Sequence, residues 1–154
     1  NKLVHEAKEN ISIFKGKIIG ADISANAIEA AKKNIRNAEF DVKTGHALSP
    51  GDLSLQISSF EKFDPPEEGG IVIMNPPYGE WLKQEDIISF YKMIGNTLKQ
   101  KYSGCDAWIL SANQEAMKFV GLHPSKKISL MNGQLECKFQ KYGIYEGSRK
   151  GSGS

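Results

Sequence analysis

Ile71-Val72-Ile73-Met74 is a continuous apolar run that stops at Asn75-Pro76-Pro77. A run of this kind marks a strand buried on both faces, as in a parallel sheet. Proline brings no amide donor to a sheet ladder, so the strand has to end there. The turn-forming cluster Asp64-Pro65-Pro66-Glu67-Glu68-Gly69-Gly70 sets its start. What precedes and follows must therefore supply neighbouring strands and helices to cover them.

Upstream, Lys17-Ile18-Ile19-Gly20-Ala21-Asp22 is a short apolar run closed by an acid, and Ser24 is a good helix N-cap. Ile28, Ala31, Ile35 and Ala38 then recur at three and four residues, predicting an amphipathic helix over 25–38 that covers a sheet. Gly45, Pro50 and Gly51 predict a loop over 41–52 before a short strand at 53–57. Downstream, Ile87, Tyr91, Ile94 and Leu98 share one face of a helix expected over 84–101, with Gly104 just beyond its end. A strand at 107–110 and a short helix over 113–120 follow. Runs at 128–131 and 135–142 then flank Asn132-Gly133, a strong hairpin signal. Strands alternating with helices and finishing in a hairpin predict a Rossmann-like α/β fold. Its sheet is mostly parallel, with an antiparallel strand at or near one edge. One domain over 1–146 and a flexible Gly/Ser tail over 147–154 are expected.

Composition excludes more than it identifies. The 154 residues carry a formal charge of +2, too little to mark a nucleic-acid binder by net field. Lys118, Lys126, Lys127, Lys138, Lys141, Arg149 and Lys150 enrich the C-terminal half, and read as a solvated surface with at most weak affinity for phosphates. Cys105 and Cys137 lack zinc or disulfide spacing and read as reduced core residues. His5, His46 and His123 are isolated. The sequence has no P-loop, metal motif or nucleophilic-serine elbow, and no apolar run long enough to span a membrane. A cytoplasmic protein with no membrane association is expected.

In such sheets ligands bind beyond the carboxyl ends of the strands, where this reading places Asp22 and Asn75. An acid like Asp22 is suited to accept hydrogen bonds from ribose hydroxyls. Asn75-Pro76-Pro77-Tyr78 is the sharper signal, since chance would produce it in roughly one chain of this length in two thousand. An exocyclic amino nitrogen is a poor nucleophile because its lone pair is delocalised into the ring. If the Asn75 side-chain oxygen and the Pro76 carbonyl accept the two amino hydrogens, the nitrogen can become more tetrahedral and aim its lone pair at an electrophilic methyl group. Pro76 and Pro77 preorganise these acceptors, and Tyr78 offers a face on which an extruded base can stack.

The stretches Ile18 to Ser24 and Asn75 to Leu82 resemble the class I methyltransferases that act on amino nitrogens. They look most like the RNA methylase family that includes bacterial 23S ribosomal RNA guanine-N2 methyltransferases. The resemblance covers 17–142 and implies S-adenosyl-L-methionine as cofactor and RNA, 23S ribosomal RNA above all, as partner. It places Asp22 at the cofactor ribose and Ile23 on its adenine. Ser59 and Phe60 stand where relatives often have an acid contacting the adenine. Asn75 to Tyr78 hold the base, with Asn75 also bordering the cofactor. Trp81 stands where close relatives commonly have arginine. Relatives usually carry an upstream THUMP-like RNA-binding domain. The family's first strand and glycine-rich loop have no match before Lys17, and 1–10 resembles the end of the helix that follows that loop. The expectation is an N-terminally truncated catalytic domain, inactive alone. A DNA adenine-N6 methyltransferase and a catalytically silent RNA-binding scaffold are the alternatives.

Overall fold

A computed structural model describes residues 2, 5, 16–37, 53–66, 69–78 and 83–145. The chain divides into two compact units, Asn1–Phe63 and Asp64–Ser154. The first contains β1 (Ile18–Asp22), α1 (Ala25–Asn37) and β2 (Leu53–Ile57). β1 and β2 run parallel, in register from Ile18 opposite Leu53 to Asp22 opposite Ile57. The strand-to-helix turn is closed by side chains: Asp22 Oδ1 accepts the Ser24 amide at 2.7 Å, and Ser24 Oγ accepts the Ala27 amide at 3.3 Å. These bonds satisfy amides that a helix start leaves without partners. Ile28 is buried on the sheet side of α1, with Ala31 and Ile35 half-buried along the same stripe. Ala38 and the loop expected over 41–52 lie outside the described residues, as do the 147–154 tail and most of 1–10, of which Lys2 and His5 are helical.

The second unit contains β3 (Gly70–Met74), α2 (Gln84–Lys101), β4 (Cys105–Ser111) and α3 (Gln114–Met117), which continues into a 3-10 turn (Lys118–Val120). β5 (Lys126–Asn132) and β6 (Leu135–Gly143) complete it. The sheet order is β3-β4-β6-β5, with β3 and β4 parallel and β6 antiparallel to both its neighbours. The antiparallel strand is thus one in from the edge. The α2 row Ile87, Tyr91, Ile94 and Leu98 is buried as its periodicity predicts, and Cys105, Ala107, Ile109 and Ser111 alternate as the buried face of β4. Both cysteines are free and buried.

Two expectations need correction. Ile71 and Ile73 are each 71% exposed while Val72 and Met74 are half-buried, so among the described residues only one face of β3 is covered. Among the described residues β3 pairs along one edge only, with β4. Hydrophobicity alone does not say which faces and edges of a strand find a partner. The hairpin turn is also displaced by one residue: Asn132 pairs with Leu135, so Gly133 and Gln134 are central rather than Asn132 and Gly133. Gly133 adopts φ +61°, a conformation that glycine reaches without steric cost.

A glycine inside α2 has a different role. A Cβ on Gly95 would collide with the backbone carbonyl of Val120, so the absent side chain lets α2 approach the 3-10 turn. In an exposed helix Gly→Ala stabilises by about 1 kcal/mol. Here the sign reverses, and Gly95→Ala is expected to destabilise the fold by about 1–3 kcal/mol, as overpacking does. Chemical denaturation checks this; an increase in stability would show that the helix and turn can separate freely.

Candidate active site

β3 delivers Asn75 beyond its carboxyl end, and the proline pair turns the chain away. Asn75 and Pro77 are exposed, Pro76 is buried and Tyr78 half-buried. The Tyr78 hydroxyl donates to Asn75 Oδ1 at 2.7 Å, closing the turn on itself. The same hydroxyl lies 3.4 Å from Asn132 Nδ2 and 3.9 Å from Cys137 Sγ, both of which donate to it from the β5–β6 hairpin. Burial is the main cause that lifts the Tyr78 phenol above its ordinary range, so it remains a protonated donor at neutral pH.

The far side of the turn is fixed from beneath. Tyr91 in α2 donates to the Pro77 carbonyl at 3.4 Å and lies 2.7 Å from Ser111 Oγ. Ser111 in turn accepts the Asn113 amide at 3.0 Å. One proton order satisfies all three groups: Asn113 N–H to Ser111, Ser111 O–H to Tyr91, Tyr91 O–H to Pro77. Burial also raises the Tyr91 phenol, which keeps this relay protonated. Asn113 Nδ2 donates to the Tyr78 carbonyl at 2.9 Å. Two carbonyls of the turn are thereby engaged. The Pro76 carbonyl takes no hydrogen bond from the described residues, and Asn75 Oδ1 keeps a second lone pair. Acceptors held still and left open in this way can bind an amino group.

In the first unit, Asp22, Ile23, Ser59 and Phe60 come together at the carboxyl end of the β1–β2 ladder. The Ser58 amide donates to the Asp22 carbonyl at 3.0 Å, drawing the two strand ends together. With Oδ1 engaged by Ser24, Asp22 Oδ2 has no partner among the described residues. Ile23 is 74% exposed, an apolar surface placed at a polar turn. Ser59 Oγ is buried without a hydrogen-bond partner among the described residues, which is costly unless a ligand meets it. A free carboxylate oxygen, an exposed isoleucine and an orphaned hydroxyl fit a ribose and an adenine. Phe60 is half-buried.

The supporting residues Tyr91, Ser111, Asn113, Asn132 and Cys137 carried no sequence signal that singled them out. Ser111 and Asn113 could have been found, because they are polar and stand at and just past the carboxyl end of β4, much as Asn75 follows β3. Among the lysines, Lys118 pairs with Glu115 at 2.7 Å, Lys138 with Glu136 at 2.8 Å and Lys141 with Asp106 at 2.8 Å. Local acids offset their charge, consistent with a solvated surface. Trp81 lies outside the described residues.

Parallel strands in each unit, one ending in an acid and another in Asn-Pro-Pro-Tyr, are those of a Rossmann-like methyltransferase domain. The chain belongs to the family of the UPF0020, RMKL-like, methyltransferase domain, which matches residues 1–141. It is 31% identical over 154 residues to the ribosomal RNA large subunit methyltransferase K/L of Shewanella loihica, covering 97% of this chain and 20% of that one. A solved structure of a predicted N6-adenine-specific DNA methylase from Listeria monocytogenes superposes with a TM-score of 0.61 at 26% identity, covering 82% of this chain and 30% of that one. The fold is shared by SMU.472, solved in complex with SAH, with a TM-score of 0.72 at 23% identity over 96% of this chain and 37% of that one. The chain thus spans about a third or less of the length of the curated relatives it matches. No helix among the described residues is long and apolar enough to cross a membrane.

Proposed function

We propose that this chain forms part of a catalytic domain that transfers a methyl group from S-adenosyl-L-methionine to an exocyclic amino nitrogen of a base in RNA, guanine N2 of 23S ribosomal RNA being the favoured target. The observation that carries the reading is the Asn75–Tyr78 turn, with two carbonyls tied back, the Pro76 carbonyl open and Asn75 Oδ1 keeping a second lone pair beside its bond to Tyr78. These two acceptors receive the amino hydrogens and localise the nitrogen lone pair. Positioning of this kind, without a strong base, accounts for large rate factors. Tyr78 holds the Asn75 amide in orientation through its hydroxyl and presents its ring to the base. Asp22, Ile23 and Ser59 would hold the ribose and adenine of the cofactor, which supplies an electrophilic methyl group when bound.

The RNA assignment is supported by the name of the Shewanella relative, and the guanine-N2 assignment by the resemblance of 18–24 and 75–82 to that group. The likeness to the Listeria methylase favours adenine N6 in DNA as a second reading. An upstream THUMP-like domain in the full protein would supply much of the RNA affinity, in the cytoplasm. The full protein that carries this chain, given labelled S-adenosyl-L-methionine, is expected to label naked 23S RNA or an assembly intermediate well above duplex DNA, because the target base must be unpaired to reach the turn. Label in DNA as N6-methyladenine, with none in RNA, would replace the first reading by the second.

A further inference from the structure

Asn113 is the N-cap of α3, where its Oδ1 accepts the Ala116 amide at 2.9 Å. Serine, aspartate or asparagine performs that task about equally well. Only asparagine carries an amide donor on a separate atom from the capping oxygen, and here Nδ2 reaches back 35 positions to the Tyr78 carbonyl at 2.9 Å. We infer that Asn113 is a positioning residue for amino-group methylation, locking the Tyr78 peptide so that the Tyr78 hydroxyl can orient the Asn75 amide. This rests on the proposed function.

The two ends of one planar amide tie the start of α3 to the turn, so the Tyr78 carbonyl can move only if the cap is strained or its bond is broken. The Ser111–Tyr91 relay holds the Pro77 carbonyl without the Asn113 side chain, which leaves the Tyr78 carbonyl as the part of the turn that depends on Nδ2. Without Nδ2, the Tyr78 peptide can rotate, its hydroxyl leaves Asn75 Oδ1, and the acceptor loses its fixed direction. A target base still reaches the turn, but its nitrogen is aimed less often at the methyl group.

Asn113→Ser and Asn113→Asp, made in the full protein, separate these roles because both keep a capping oxygen and lose the Nδ2 amide that reaches the Tyr78 carbonyl. Expected for both is a thermal midpoint close to the unaltered protein, RNA KM and S-adenosyl-L-methionine Kd within about twofold, and single-turnover methyl transfer slowed about tenfold or more, the scale of a small misplacement. Asn113→Ala, which loses both ends, should slow transfer similarly and also lower the midpoint. An unchanged rate in the serine and aspartate variants would overturn the inference, as would a rate loss that merely follows a fall in thermal midpoint. Absence of amino methylation by the unaltered protein would instead contradict the proposed function, and the inference would fall with it.

Discussion

Asn75→Ala is expected to slow methyl transfer by the full protein by about two powers of ten or more under single-turnover conditions, with little change in cofactor affinity. Alanine removes Asn75 Oδ1, the amide acceptor that the turn presents at the carboxyl end of β3. It also frees the Tyr78 hydroxyl, whose 2.7 Å bond to Oδ1 is lost. Both effects act on the reacting nitrogen. Stability should fall only modestly, because Asn75 is exposed and the rest of the turn remains tied by Tyr91 and Asn113. Rapid-quench kinetics with calorimetric titration of the cofactor checks the separation. A defect in cofactor affinity equal to the defect in rate would place Asn75 at the cofactor rather than at the base.

Asp22→Ala should behave in the opposite way, weakening cofactor affinity by about 1.5–3 kcal/mol through lost charge-assisted hydrogen bonds, while transfer at saturation changes less. The structure adds a complication to that experiment. Asp22 Oδ1 also accepts the Ser24 amide, so alanine removes a turn bond at the start of α1 as well as the free Oδ2. Asp22→Asn keeps an acceptor for Ser24 and removes the negative charge. Affinity lost equally in both variants would assign the effect to the carboxylate and its ligand. Affinity retained in the asparagine variant would assign it to the turn.

The elements were legible where local patterns decide them. α2 ends where Lys101 gives way to a turn before Gly104, and its buried row has the spacing of an amphipathic helix. β2 occupies 53–57, where a short strand is expected after the loop-forming residues. Asn75-Pro76-Pro77-Tyr78 was legible because the prolines both end the strand and belong to the proposed site. What a local pattern cannot contain is a partner distant in sequence. Tyr91 is indistinguishable from the other members of an apolar row until its hydroxyl is seen 2.7 Å from Ser111, 20 positions away. Cys137 likewise reads as a small core residue, although its thiol lies 59 positions from the Tyr78 hydroxyl that it meets. The orphaned Ser59 hydroxyl was placed at the cofactor by resemblance alone; its buried, unpaired state gives that placement a physical reason. The exposed face of β3 was misread because an apolar run reports the side chains present, not the neighbours they find.

The central claim is that the Asn75–Tyr78 turn presents an amino nitrogen for methylation, and the position of the transferred methyl group tests it most directly. The full protein is incubated with RNA and S-adenosyl-L-methionine carrying a carbon-13 methyl group, the RNA is digested to nucleosides, and the labelled product is examined by mass spectrometry and NMR. The account predicts the label on an exocyclic nitrogen, as N2-methylguanosine. Label on a ring carbon, a ring nitrogen or a ribose oxygen would contradict it, because none of those positions offers the two amino hydrogens that Asn75 Oδ1 and the Pro76 carbonyl are placed to accept.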